Sequence, residues 1–281
     1  MIFVEMLTFC SVMKSRKKLY IAAKHIFVFA AIYFVVQIVV GVVLQLCGVN
    51  IYGTDGTMSG LWFMLTYLFA MLPTLALLTM YESRNYGCST PIKHSMRGFD
   101  PKAILWGVVL MVAASVVLTP LSSLMPADTR VFPVSGWTLI TVVICAPILE
   151  EVLFRGRFYS LLRHNAAPLP SAMLSAALFG IVHGSPVVML EGFVSGIILS
   201  YLYVWKSSII ASIILHMCNN AIAYALVVLS YRDRSLAEIV GDSGISVVAY
   251  CIALAIVIVG GVCIVRTLRN PKEIAVVAEE R

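Results

Sequence analysis

Eight stretches of about 20 mostly apolar residues recur along the chain, at roughly 24–47, 59–81, 102–124, 137–158, 168–184, 186–205, 207–230 and 244–266. That is the length an α-helix needs to cross the hydrocarbon core of a bilayer. The longest polar stretch between them runs from about Glu82 to Lys102, too short for a separate soluble domain. With 60% hydrophobic and 12% charged residues, the composition is too apolar for an ordinary soluble domain. The expected fold class is all-α: one polytopic transmembrane helix bundle of about eight spans.

Lys and Arg set the expected orientation. With the amino terminus in the cytoplasm, that side takes Lys14, Arg16, Lys17, Lys18, Lys24, Arg84, Lys93, Arg97, Lys102, Arg155, Arg157, Arg163, Lys206, Arg266, Arg269, Lys272 and Arg281. Only Arg130, Arg232 and Arg234 of the 20 basic residues fall on the other side. This bias is the positive-inside pattern for eight spans with both termini cytoplasmic, in a plasma (cytoplasmic) membrane. The same basic residues are dispersed rather than gathered on one face, so the net charge of +6 is no nucleic-acid footprint. The expected partners are membrane lipid and a membrane-associated protein or peptide.

Seven cysteines, at positions 10, 47, 88, 145, 218, 251 and 263, lie singly and form no Cys-x-x-Cys pair. They read as small membrane-buried hydrophobes rather than a disulfide framework or zinc ribbon. Met1 to Met13 is short and carries Glu5, so no cleaved signal is expected.

Three polar groups interrupt the later spans. Glu150-Glu151-x-x-x-Arg155 stands in the fourth, Phe179-x-x-x-His183 ends the fifth, and His216-x-x-x-Asn220 lies in the seventh. A charge at the centre of a membrane helix costs about 2.5–3.5 kcal/mol on insertion scales. Arg155 lies four residues after Glu151, on the same helical face, and can pair with it. Glu150 projects about 100° away and has no such partner on its own helix. An unpaired intramembrane carboxylate is by default a functional-site candidate.

Depth tests whether the three groups meet. Glu150 and His183 lie nearly symmetrically about residue 166, in the turn joining the fourth and fifth spans, and so share a level. His216 lies ten residues past Lys206, about 15 Å deep, whereas Glu150 lies about 24 Å from its turn. The two agree if the hairpin of the fourth and fifth spans protrudes roughly 10 Å into the cytoplasm. Arg155, Arg157 and Arg163 suit such a protrusion.

Hydrolysis is the chemistry these groups permit. A carboxylate can act as general base on water, with a neutral histidine sharing and orienting that water. A second histidine and an amide on one helical face can donate to a developing oxyanion. Alternatively, Glu150, His183 and His216 can hold zinc, although the usual His-Glu-x-x-His signature is absent. The cofactor is left open between no metal and zinc.

The ordered set Glu-Glu-x-x-x-Arg, Phe-x-x-x-His and His-x-x-x-Asn on successive spans resembles the CAAX prenyl protease and bacteriocin-processing family of intramembrane glutamate-type endopeptidases. Phe154-Arg155-Gly156 continues in the family's style. The resemblance covers about 100–230, a catalytic core. It leaves 1–99, with two spans and a cytoplasmic loop, and 231–281, with the last span and tail, outside. It implies a helical membrane bundle with a cavity open toward the cytoplasm, in a family often described as metalloproteases. Its eukaryotic members remove the last three residues of prenylated CAAX proteins. It further implies Glu150, His183, His216 and Asn220 as catalytic residues, with Glu151, Arg155 and Phe179 in support.

Two other functions fit the same pattern. A non-proteolytic immunity or scaffold protein would have the bundle without the activity, but the complete residue set favours an enzyme. A proton-coupled transporter is disfavoured by the lack of an internal repeat. Asn219 competes with Asn220 for its role, His25, His94 and His164 read as interfacial, and the motifs leave Glu191 unclaimed.

Overall fold

The computed structural model describes residues 2–49, 58–92, 99–126, 133–229, 241 and 243–269, without the side chains of 2–15 and 243. Asp55, Lys93, His94, Arg97, Arg130, Arg232, Arg234, Asp242, Lys272 and Arg281 therefore lie outside the described residues. Eight apolar helices account for nearly all of the rest: α1 (Ile2–Leu46), α2 (Gly60–Tyr86), α3 (Pro101–Ser122), α4 (Gly136–Arg163), α5 (Pro168–Ile181), α6 (Pro186–Lys206), α7 (Ile209–Val228) and α8 (Ser243–Arg269).

Seven of these are long and apolar enough to cross a membrane; α5 is not. Its 14 residues rise only about 21 Å, against a hydrocarbon core of about 30 Å. The apolar run at 168–184 thus overstates the fifth span. Gly184, at φ +77°, turns the chain, and Pro186 opens the next helix at its first position.

Helix α4 is divided by two π-helical segments, Thr141–Cys145 and Val152–Tyr159. Pro147 accounts for the first: it has no N–H to give the preceding turn. The N–H of Ala146 reaches back to Thr141 O, five residues earlier, so Val142 O is left without a main-chain donor at either i+4 or i+5.

Two cores flank α4. On one side Phe29 of α1, Leu78 of α2 and Leu153, Phe154, Phe158 and Leu161 of α4 are all but fully buried. The ring of Phe29 lies 4.4 Å from that of Phe158. On the other side Leu110, Leu199, Leu202, Leu215 and Leu268 join α3, α6, α7 and α8. The outward faces carry Ile38, Leu105, Val247 and Ile258, each more than half exposed, as a lipid-facing surface requires.

Helices α5 and α6 pack most extensively of the described pairs, through small residues four apart: Gly180 meets Gly192, and Ala176 meets Gly196. A Cβ on Gly196 would lie 3.0 Å from Ala176 Cα, and one on Gly180 only 2.4 Å from Met189 O. Small residues at this spacing let membrane helices approach backbone to backbone. Gly180→Ala is expected to force the hairpin apart and cost about 1–3 kcal/mol, measured as a lower thermal midpoint in detergent.

The far end of the α4–α5 hairpin is held by α1 and α2. His25 bonds to Tyr81 Oη at 2.9 Å and Tyr86 Oη at 2.7 Å. Tyr86 stacks on His164 and accepts from Asn165 Nδ2. Arg157 donates to Thr90 O, and Glu82 accepts from the Thr90 hydroxyl at 2.6 Å. His25 is thus a buried clamp, 1% exposed, rather than the interfacial residue that its neighbouring lysines suggest. Beyond the helix ends, Asp100 caps α3 through Lys102 N and Ala103 N and accepts from Lys206 Nζ at 2.7 Å. The Lys206 bond holds its carboxyl below the usual carboxylate range.

Candidate active site

Glu151 and Arg155 share one face of α4, and both are fully buried. Arg155 Nη1 donates to Glu151 Oε1 at 2.7 Å. Its other terminal nitrogen donates to Gly196 O at 2.9 Å, and its guanidinium lies 4.6 Å from the centre of the Phe179 ring. One side chain thereby ties α4 to α6 and α5.

His216 of α7 approaches the same carboxylate. Its Nδ1 lies 3.0 Å from Glu151 Oε1. An ionised carboxylate only accepts, so Nδ1 carries the proton. That bond turns Nε2 toward Glu150, whose Oε2 lies 3.7 Å away. The separation is too long for a direct hydrogen bond and suits a shared water.

Glu150 has a partner that its own helix does not provide. The hydroxyl of Tyr67, on α2, donates to Glu150 Oε1 at 2.9 Å. One carboxylate oxygen is thus fixed by Tyr67 while the other faces His216. Nothing in the local sequence around Tyr67 announces this role; a tyrosine in an apolar span, whose hydroxyl needs a buried partner, is the only signal.

His183 lies just past the end of α5, half-buried. Its Nδ1 donates to Phe179 O at 2.6 Å, which makes Nε2 the acceptor nitrogen. The rings of His183 and His216 both meet the Phe179 ring edge-on, with centroids 4.9 and 5.6 Å away. Phe179, 2% exposed, is the common wall of the two histidines.

Asn220 Nδ2 donates to Val142 O at 2.9 Å, the carbonyl orphaned above Pro147. Asn219 Nδ2 lies 3.4 Å from Asn220 Oδ1 and so supports it from the next position. Asn220 therefore anchors α7 to α4 one turn beyond His216. Asn220→Ala is expected to leave that carbonyl unpaired and cost about 1–3 kcal/mol, read from thermal unfolding beside the wild type. Glu191 stands exposed on α6.

Glu150, Glu151, Arg155 and His216 are thus joined through successive contacts, with His183 beside them across Phe179. Among the described residues no three His, Cys, Asp or Glu side chains converge as a metal set. Nδ1 of His216 and Nδ1 of His183 are engaged by Glu151 and a main-chain carbonyl, which leaves each Nε2 as the nitrogen open to a ligand.

Comparison with curated proteins and with solved structures yields no match. Residues 132–222 match the family model described as Rce1-like, type II CAAX prenyl endopeptidase. That stretch holds all three motifs and leaves out Tyr67. With seven helices of spanning length, the chain is a multi-pass membrane protein whose residues 132–222 are similar to type II CAAX prenyl endopeptidases of the Rce1-like kind.

Proposed function

We propose that the protein is an intramembrane endopeptidase that hydrolyses a peptide bond of a membrane-associated protein or peptide with a water activated by Glu150. The observation that carries this reading is the opposition of Glu150 Oε2 and His216 Nε2 across 3.7 Å, each held from behind. Tyr67 fixes the far oxygen of Glu150, and Glu151 fixes the far nitrogen of His216.

Glu150 takes a proton from the water as its oxygen attacks the carbonyl carbon, and later returns that proton to the leaving nitrogen. His183, with its acceptor Nε2, orients the water. His216 serves the oxyanion in its doubly protonated form, with Nδ1–H on Glu151 and Nε2–H toward the developing charge. Two carboxylates, one guanidinium and one imidazolium then sum to zero, which suits a low-dielectric interior. Asn220 retains a second amide N–H for the same oxyanion.

Membranes containing the wild-type chain should yield peptides with new amino termini, and membranes containing Glu150→Ala should not. Equal peptide sets from both would overturn the hydrolytic reading and favour a scaffold role. The orientation follows the basic residues: the short α5 turns back into α6, so that this pair enters and leaves on the same side and both ends are cytoplasmic. Cysteines placed at Asp55 and Asp242 should react with an impermeant reagent from the outer face; labelling only from the cytoplasm would reverse the topology.

A further inference from the structure

Helices α1 and α2 enclose an open groove of about 570 Å³, lined by Gln37, Gly41, Gln45, Phe63, Thr66 and Tyr67 among others. It lies outside the segment matched to the family. Tyr67 belongs both to this groove and to the site, since its hydroxyl holds Glu150. The residue that holds the proposed general base is thus part of the groove wall.

We propose that this groove binds the extended, uncharged peptide segment adjoining the scissile bond, an assignment that rests on the endopeptidase reading above. None of the described residues that line it is charged. Gln37, Gly41 and Gln45 follow one another at four-residue intervals, so they form one stripe along α1. Neither glutamine amide bonds to a described residue. Gln37 lies nine residues, about 14 Å, from the helix end at Leu46, at a depth where a side-chain amide needs a polar partner.

A peptide bond inside a helix is shielded by its own hydrogen bonds, so the substrate must be unwound at the cut. Unwinding strips backbone N–H and C=O groups of their partners where water is scarce. A glutamine amide both donates and accepts, and can replace them. The two glutamines stand about 12 Å apart, the length of about four residues of extended chain at roughly 3.3 Å each. A groove volume of 570 Å³ is of the size that holds a small ligand. A prenyl or acyl chain has no use for two amides.

Gly41 gives the proposal a clean test. A Cβ there would meet nothing within 4 Å, so Gly41→Leu projects a side chain into the groove without a clash and with better helix propensity. The probe is a benzophenone-bearing acetyl-tetrapeptide amide of alanine and valine, applied to the full chain in nanodiscs. Cross-links are expected within 37–49 and 58–67, displaced by the unlabelled peptide and not by farnesol. Gly41→Leu, and separately the pair Gln37→Leu with Gln45→Leu, should lower cross-linking about tenfold at an unchanged or higher thermal midpoint. Displacement by farnesol alone, or undiminished cross-linking in Gly41→Leu, would overturn the assignment. If Glu150-dependent new amino termini appear but Gly41→Leu cleaves like wild type, the groove assignment alone falls. If the Gly41-sensitive cross-link persists and no Glu150-dependent cleavage exists, the groove stands and the hydrolytic reading falls.

Discussion

Glu150→Gln is expected to lower turnover by about 10²–10⁴-fold, the range a general base contributes, while leaving the fold intact. Glutamine keeps an oxygen to accept from Tyr67, and Glu150 makes no ion pair with Arg155, so little structural support is lost. Glu151→Gln should behave differently. It leaves the fully buried Arg155 without its counter-charge and weakens the bond that orients His216, so stability and turnover fall together. Thermal midpoints and single-turnover rates of the two variants, measured side by side, separate the roles. Near-normal turnover in Glu150→Gln would remove it as the base.

That two adjacent glutamates have separate tasks is partly legible from spacing alone. Arg155 follows Glu151 by four residues, so a pair on one helical face is expected, and the structure has it at 2.7 Å. The depth argument also carries. At about 1.5 Å per residue, Glu150 lies roughly 20 Å from the end of α4 at Arg163, and His216 about 10 Å from the start of α7. Their approach to 3.7 Å makes the α4–α5 hairpin overhang by the difference.

Other features depend on contacts that periodicity does not encode. The bond between Glu151 and His216 joins residues 65 apart in the chain. Tyr67 reaches Glu150 from a helix that carries none of the motifs. Pro147 is visible in the sequence, yet the carbonyl it orphans and the use Asn220 makes of it emerge only once α7 lies against α4. The small-residue stripe of Gly192, Gly196 and Ser200 was readable at four-residue spacing; hydropathy conceals it, because glycine and serine pass unnoticed within an apolar run. The same smoothing carries the fifth span beyond the helix end at Ile181 to Gly184, where the chain turns.

The second large effect is expected at Arg155. In Arg155→Met the Glu151 carboxylate, 0% exposed, loses its guanidinium and keeps His216. Removing one partner of a buried ion pair costs about 3–5 kcal/mol, because the remaining charge is left uncompensated. Two further losses accompany it: the bond to Gly196 O that joins α4 to α6, and the cation over the Phe179 ring that both histidines touch. The double variant Glu151→Gln with Arg155→Met removes both charges and should be more stable than Arg155→Met alone. The cycle should therefore show coupling well beyond the roughly 0.3–0.5 kcal/mol scatter of independent sites. Strict additivity would mean that the pair is a bystander and that the helices are held by their small-residue contacts. Turnover distinguishes the pair's two duties. If it only braces the bundle, the double variant regains activity as it regains stability. If Glu151 also sets the proton on His216, the double variant stays slow at full folding, and that second outcome is the one the 3.0 Å contact favours.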